Sequence, residues 1–185
     1  VEGQAIELAW IRKNNWEMSE KDYFKLVELK TAHYSVTTPL KLGAIIAGAK
    51  ARDIRALEKI GLALGTAFQI QDDISGIWGE RERTGKSVSD DILDKKKTLP
   101  VVFALKEEKD RGLKTLWDIY SSEDIQPEQV PQVMEILDKF KAKEYCLFKV
   151  NSFYEESLNS LRATGLGSPL MEKLENLSKL CLGKD

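Results

Sequence analysis

The sequence predicts an all-α fold, and three observations lead to that prediction. Apolar residues recur at spacings of three and four along most of the chain, whereas no segment keeps the alternating pattern of a strand. Lysine, glutamate and leucine, which favour helix, are abundant. Only five prolines interrupt the 185 residues, so long helices joined by short links are expected.

The end of the first helix is predicted from an asparagine pair, and the start of the second is predicted from a capping motif. Apolar residues at helical spacing predict a helix over residues 2–13, which the asparagine pair beginning at Asn14 ends. Ser19, followed three residues later by Asp22, resembles a capping box. A helix over 20–35 is therefore expected.

The next two helices carry the longest apolar stripe of the chain. Pro39 suits the first turn of a helix over 39–50. Asp53 is expected to cap a helix over 54–78, which Gly79 ends. The stripe steps by three and four residues through Ile54, Leu57, Gly61, Leu64 and Phe68.

The second half of the chain begins with a polar stretch. Glu80 to Asp90 is predicted as a loop, and Thr98-Leu99-Pro100 predicts the start of a buried helix, with proline in its first turn. The remaining predicted helices cover residues 112–120, 127–138, 139–163 and 169–181.

Composition excludes several classes of protein. Lys and Arg total 28 and Asp and Glu total 30, and a net charge of −2 argues against nucleic-acid binding through a basic surface. No apolar run reaches the roughly 18 residues of a membrane span, so no integral membrane segment is predicted. Two cysteines are too few for a disulfide scaffold or a cysteine metal cluster. A cytoplasmic location is expected.

Two adjacent aspartates stand on the longest predicted helix. Gln69, Asp72, Asp73 and Gly76 lie at i, i+3, i+4 and i+7, so they share one side of it. Mg²⁺ prefers oxygen ligands and commonly joins one or two carboxylates to substrate phosphates. A magnesium site is one interpretation; a solvated acidic turn is the other.

Lysines on three separate segments indicate which kind of ligand the carboxylates of Asp72 and Asp73 could bind together with a metal. Lys30 lies on an earlier helix, Lys86 on a glycine-containing loop, and Lys96 just before the helix start at Leu99. A metal that binds some phosphate oxygens and ammonium groups that bind others would form a diphosphate site. Each lysine taken alone is better explained as a solvated surface charge.

Five motifs follow one another along the chain. They are Gly3-Gln4-Ala5-Ile6-Glu7; Tyr23 with Lys30-Thr31; Phe68-Gln69-Ile70-Gln71-Asp72-Asp73; Gly85-Lys86 with Asp91-Ile92, Lys96 and Thr98-Leu99-Pro100; and the tail from Tyr154 to Leu180. In order and spacing they resemble the trans-isoprenyl (polyprenyl) diphosphate synthases of the farnesyl and geranylgeranyl type, in their C-terminal portion.

The resemblance implies an isoprenoid synthase helical bundle, with residues 1–185 as the C-terminal part of a single polyprenyl synthase domain. The chain opens at Val1 with a helical pattern already running, and the family's first aspartate-rich motif is not found in it. We therefore expect the N-terminal helices to be absent from this chain, and the 185 residues alone to be inactive in elongation. The complete enzyme is expected to be a homodimer.

The resemblance also implies a reaction and roles for residues. An allylic diphosphate condenses with isopentenyl diphosphate, with Mg²⁺ as cofactor, to give a longer trans-prenyl diphosphate. The residues implied are Asp72 and Asp73 for the metal; Lys30, Lys86 and Lys96 for the diphosphate; Thr31 and Gln69 beside the allylic cation; and Phe68 for the cavity or isopentenyl binding, or else for core packing.

One departure from the family pattern lies within the acidic motif. The usual third aspartate is replaced by Gly76, and Ser75 points about 100° away on a helix, which makes it a poor substitute. Asp72 is accordingly the expected main ligand, supported by Asp73.

Two alternatives stay open. A non-catalytic or regulatory half-length subunit would fit Gly76 and the missing first motif, but it would not need the lysines. A class I terpene cyclase would require serine at position 76 and glutamate at position 80, and the chain has Gly76 and Glu80.

Overall fold

Helices account for most of the chain that the structure describes. The computed structural model describes residues 2–12, 16–79, 90–164 and 168–181, and these residues contain no strand, which confirms the all-α prediction. None of the helices described there is long and apolar enough to cross a bilayer. The elements are α1 (Glu2–Arg12), α2 (Glu20–Val27), a π-helical segment (Glu28–Thr37), α3 (Thr38–Ile46), α4 (Ala51–Trp78), α5 (Asp90–Leu93), α6 (Leu99–Asp110), α7 (Thr115–Ser121), a 3₁₀ turn (Pro127–Gln129), α8 (Val130–Lys139), α9 (Ala142–Arg162) and α10 (Ser168–Cys181).

The predicted cap of α2 is confirmed, and that of α4 is wrong. The amide of Ser19 donates to Oδ2 of Asp22 at 3.0 Å, and the amide of Asp22 donates to Oγ of Ser19 at 3.2 Å. In α4, by contrast, Asp53 lies inside the first turn, because the helix begins at Ala51. An acidic residue is favoured in the first turn as well as at the cap, since both positions face the positive end of the helix dipole.

The start of α6 is confirmed, whereas α5 was missed. Thr98 has extended backbone angles and Pro100 lies in the first turn of α6. The four residues of α5, Asp90–Leu93, are too few to show a periodic stripe. Asn14 and the polar stretch over 80–89 fall outside the described residues.

The chain from Glu20 to Ile46 follows one helical course, whereas two helices were predicted. Its middle part, Glu28–Thr37, is wound as a π-helix: the amide of Thr38 donates to the carbonyl of His33, five residues earlier. π-Helical turns are rare and are frequently found at functional sites. Spacings of three and four residues predict the helix but not its wider winding.

The π-helical segment packs closely against α4 at two glycines. A Cβ atom on Gly61 would lie 2.7 Å from Cα of Thr37, and one on Gly65 would lie 2.6 Å from Cα of Ala32. Real Cβ atoms do not approach backbone so closely, so any larger residue would push the two segments apart. The glycines, which weaken the helix propensity of α4, are what allows this contact.

The chain divides into two compact units, and each has its own core. The first comprises Val1–Leu26 and Ile70–Phe148, and the second comprises Val27–Gln69 and Lys149–Asp185. In the first core, the rings of Trp16 and Tyr120 meet edge to face with centroids 4.8 Å apart. The second core is built from apolar side chains of α3, α4, α9 and α10: Ala44, Leu57, Ile60, Leu161 and Leu174.

Candidate functional site

The acidic pair of α4 separates into one exposed and one buried carboxylate. Asp72 is exposed, whereas Asp73 is only 5% exposed, and Ile70 and Ile74 on either side are buried. Adjacent residues of a helix point about 100° apart, so one helix can present Asp72 to solvent and Asp73 to the interior.

Asp73 is held by protein groups of the first unit. Its Oδ2 atom accepts a hydrogen bond from the phenol of Tyr23 at 2.7 Å and another from the amide of Leu99 at 2.8 Å. Burial, together with the charge of Asp73, raises the pKa of Tyr23 well above its ordinary value, so the phenol stays protonated and donates. Asp73 thus links α2 and the start of α6 to α4. Its role as a metal ligand stays a prediction.

Lys96, predicted to bind diphosphate, lies beside an aspartate that the sequence analysis did not assign to the site. Its ammonium donates to Oδ1 of Asp91 at 2.5 Å and lies 3.9 Å from Oδ2 of Asp94. The Asp91 side chain is 6% exposed and that of Lys96 is 37% exposed. Asp91 belongs to one of the motifs shared with the family, and this membership is the sequence signal that could have identified it as a site residue.

In the second unit, the structure brings two predicted residues together. The hydroxyl of Thr31, on the π-helical segment, donates to Oε1 of Gln69 on α4 at 2.5 Å. Thr31 is buried and Gln69 is half-buried. Lys30, next to Thr31, is also half-buried, so its side chain is not a fully solvated surface charge.

Of two further residues predicted for the site, Phe68 is described by the structure and Lys86 is not. Phe68 is 37% exposed, so it is not a fully buried core residue, and its contact with a ligand stays a prediction. Lys86 lies outside the described residues, so its predicted role stays a prediction.

Ser75 and the lysines next to Lys96 are accounted for by protein contacts. The hydroxyl of Ser75 donates to the carbonyl of Gln71 at 2.9 Å, as expected for a residue that points away from the acidic side. The ammonium of Lys97 lies 4.3 Å from the ring centroid of Trp16, and Lys95 donates to the carbonyl of Ser122. Lys96, between these two lysines, donates to Asp91.

The carboxylates of the described residues suit a metal ion that takes only one or two ligands from the protein and the others from water and substrate. Among the described residues, no group of three or more His, Cys, Asp or Glu side chains could hold a metal ion. Mg²⁺ keeps several waters and is commonly bound by one or two carboxylates together with substrate phosphates. The exposed carboxylate of Asp72 suits that mode, whereas an all-protein metal cage does not fit the described residues.

A family model described as Polyprenyl synthetase matches residues 1–137. The match includes α1 to α7, and with them every residue predicted for the site. It also includes Tyr23, Asp91 and Leu99, which the structure adds to these residues.

Two curated relatives are similar over most of this chain. The short chain isoprenyl diphosphate synthase of Methanothermobacter thermautotrophicus is 34% identical over 144 residues, which are 78% of this chain and 43% of that protein. The geranylgeranyl diphosphate synthase of Sulfolobus acidocaldarius is 29% identical over 173 residues, which are 93% of this chain and 51% of that protein. The chain thus spans about half the length of the curated relatives it matches.

Solved structures share the fold. The crystal structure of geranylgeranyl pyrophosphate synthase from Corynebacterium glutamicum, complexed with isoprenyl diphosphate and magnesium, matches with a TM-score of 0.88 and 26% identity. The match covers 100% of this chain and 52% of that one. The geranylgeranyl pyrophosphate synthetase from Pyrococcus horikoshii matches with a TM-score of 0.84 and 25% identity, over 100% of this chain and 54% of that one.

Proposed function

Because the chain belongs to the polyprenyl synthetase family, we propose that it takes part in prenyl transfer between an allylic diphosphate and isopentenyl diphosphate. In this reaction the allylic carbon–oxygen bond breaks, a carbon–carbon bond to isopentenyl diphosphate forms, and the proton lost passes to the released diphosphate. The chain would serve as the C-terminal part of a single polyprenyl synthase domain, in a homodimeric cytoplasmic enzyme. The names of the two curated relatives support this reaction class.

The observation that carries the proposal is the contrast between Asp72 and Asp73. The buried Asp73 accepts hydrogen bonds from Tyr23 and Leu99, whereas Asp72, its neighbour on the same helix, is exposed. An exposed carboxylate that shares the first unit with the ammonium of Lys96 suits a diphosphate accompanied by a cation.

Synthases of this family use a divalent metal, and we assign Mg²⁺ to Asp72. When bound there, Mg²⁺ would neutralise negative charge on the departing diphosphate. Lys96 would bind other oxygens of that group through its ammonium, and Lys86 and Lys30 would do the same. Fixed positive charges aimed at a leaving group favour its departure, because they need no reorganisation as its charge develops.

Thr31 and Gln69 would stabilise positive charge on the allylic carbon. The hydroxyl of Thr31 donates a hydrogen bond to Oε1 of Gln69, and a hydroxyl that donates in this way still carries two lone pairs. Oxygen dipoles held by such a hydrogen bond suit a developing cation. Phe68, which is partly exposed, would contact the apolar part of a substrate.

Calorimetric titration of the chain with Mg²⁺ and inorganic diphosphate tests the proposal. The parent chain is expected to bind them together, and Asp72→Asn is expected to bind about tenfold or more weakly, because one charged ligand is lost. Asp118→Asn, at an exposed position of α7, is the matched control. Equal binding by Asp72→Asn and the parent chain would exclude the metal role of Asp72.

The reaction itself is tested in the complete enzyme. Labelled isopentenyl diphosphate should be incorporated into an allylic diphosphate, and Asp72→Asn should lower turnover by about two or more orders of magnitude. Diphosphate binding without any incorporation would favour the non-catalytic subunit instead. Release of a cyclic hydrocarbon without incorporation would favour a terpene cyclase.

A further inference from the structure

The acidic side of α4 carries no side chain at position 76, and the carboxylate of Asp91 from α5 fills that place. A Cβ atom built on Gly76 would lie 2.6 Å from Cγ of Asp91 and still closer to its Oδ2 atom. Any residue with a side chain at position 76 would therefore displace this carboxylate. The motif's third aspartate and the present position of Asp91 exclude each other.

Asp91 is not free to move aside without losing contacts. Its side chain is buried, its Oδ1 atom accepts from the ammonium of Lys96, and its backbone carbonyl accepts from the amide of Lys96 at 2.9 Å. Displacing the carboxylate would separate it from Lys96 and leave a buried charge without its main partner, which is costly. The contact with Gly76 and the ion pair with Lys96 therefore depend on each other.

We propose that Asp91 is a positioning residue that occupies the space of the missing third aspartate and holds the ammonium of Lys96 in place, and that Gly76 is the condition for this arrangement. The role of Lys96 as a diphosphate ligand rests on the function proposed above; the dependence of the ion pair on Gly76 does not.

The electrostatics of Lys96 agree with this geometry. Burial is the largest single influence and lowers its pKa, but the hydrogen bond and charge of Asp91, together with the charges of Asp94 and Asp72, outweigh it, so the pKa is raised. Lys96 therefore stays charged, and the negative charge of Asp72 contributes to raising its pKa. Introducing aspartate at position 76, as the family motif would suggest, should consequently disturb the site rather than complete it.

The ion pair is tested by the rate at which acetic anhydride acylates Lys96, followed by site-resolved mass spectrometry with Lys106 as internal reference. Only the uncharged amine reacts, and its fraction rises tenfold for each unit by which the pKa falls. Asp91→Asn and Gly76→Ala should each accelerate acylation of Lys96 by about threefold or more. In an Asp91→Ala background, Gly76→Ala should cause no further change.

Gly43→Ala serves as the matched control, because a Cβ atom there would meet nothing within 4 Å; it should leave the rate unchanged. Circular dichroism establishes that each variant is folded. Should Gly76→Ala fail to fold, Asp91→Asn, which keeps the side-chain shape, still decides whether Asp91 holds Lys96, and Gly76→Ala in the Asp91→Ala background tests the steric requirement at position 76 through its folding. Unchanged acylation of Lys96 in Asp91→Asn or in folded Gly76→Ala would overturn the proposal.

Titration with Mg²⁺ and inorganic diphosphate separates this proposal from the function on which it partly rests. Asp91→Asn should bind about tenfold more weakly than the parent chain, since Lys96 is no longer held. Equal binding by the two would overturn the positioning role. Absence of binding by the parent chain would instead contradict the proposed function, while the acylation rates would still decide whether Gly76 and Asp91 hold Lys96.

Discussion

The phenol of Tyr23 donates a hydrogen bond to Oδ2 of Asp73 at 2.7 Å, although 50 positions separate the two residues in sequence, and both are buried. The second aspartate of the acidic pair is thereby tied to α2. The first aspartate, Asp72, is exposed on the same helix. Two neighbouring carboxylates of one motif consequently have different environments, and they should respond differently to substitution.

Tyr23→Phe should destabilise the chain without changing its packing. The substitution removes only the hydroxyl and deprives the buried carboxylate of Asp73 of one donor, which should cost about 1–3 kcal/mol of unfolding free energy. Urea unfolding followed by circular dichroism measures this. Tyr34→Phe, at a side chain that is 80% exposed, is the control and should change stability by less than about 0.5 kcal/mol. Equal stability of both variants would contradict the structural role of the Tyr23 hydroxyl.

Thr31 and Gln69 should show coupled energetics. Thr31→Val keeps the side-chain shape but removes the donor to Oε1 of Gln69, and Gln69→Ala removes the acceptor. A double-mutant cycle in unfolding free energy should give a coupling of about 0.5–1.5 kcal/mol, because the hydrogen bond is lost only once. Strictly additive effects would show that the contact contributes nothing to stability.

Gly65→Ala should destabilise the second unit. The new Cβ atom would lie 2.6 Å from Cα and 2.9 Å from Cβ of Ala32, and backbone cannot yield as a flexible side chain can, so the expected cost is about 1–3 kcal/mol. Gly43→Ala, in α3 with open space around it, should instead be neutral or stabilise by up to about 1 kcal/mol. Thermal unfolding of the two variants measures the difference, and a Gly65→Ala variant as stable as the parent would disprove the close approach.

Lys97 should make stability depend on pH in the mildly alkaline range. Burial, helped by the charge of Lys95, lowers the pKa of Lys97 to about 8. Between this value and the ordinary lysine pKa, the unfolded chain binds more protons than the folded one, so stability rises with pH. Between pH 8 and pH 9.5 the gain should be about 1–2 kcal/mol.

Lys97→Met should reduce this rise, because methionine has no proton to release. Lys109→Met, at an exposed position of α6, should preserve it. Urea unfolding at several pH values provides the measurement. A change of stability with pH that is the same in Lys97→Met as in the parent chain would be incompatible with a lowered pKa for Lys97.

The sequence was sufficient for those features that local rules govern. The Ser19–Asp22 cap and the start of α6 at Leu99 each depend on residues within a few positions of one another, and both were predicted. These features required no knowledge of what packs against the helix.

Features that depend on distant contacts were not predicted. Spacing alone places Asp72 and Asp73 on one side of the helix, and only the packing of Tyr23 and Leu99 shows that one of them is buried. The relation between Gly76 and Asp91 joins α4 to a four-residue helix that has no periodic pattern of its own. The sequence shows only that Gly76 lacks the carboxylate expected at that position. The structure shows that the carboxylate of Asp91 occupies the space where a side chain at position 76 would lie.

The π-helical winding of Glu28–Thr37 has a consequence for comparing related chains. A turn closed by a hydrogen bond to the fifth preceding residue contains one residue more than an α-helical turn, whose hydrogen bond goes to the fourth. A deletion of one residue there would be absorbed by rewinding as an α-helix, which leaves the residues on either side close to their present orientation. Single-residue gaps between homologues are therefore to be expected inside this segment rather than in the loops that flank it.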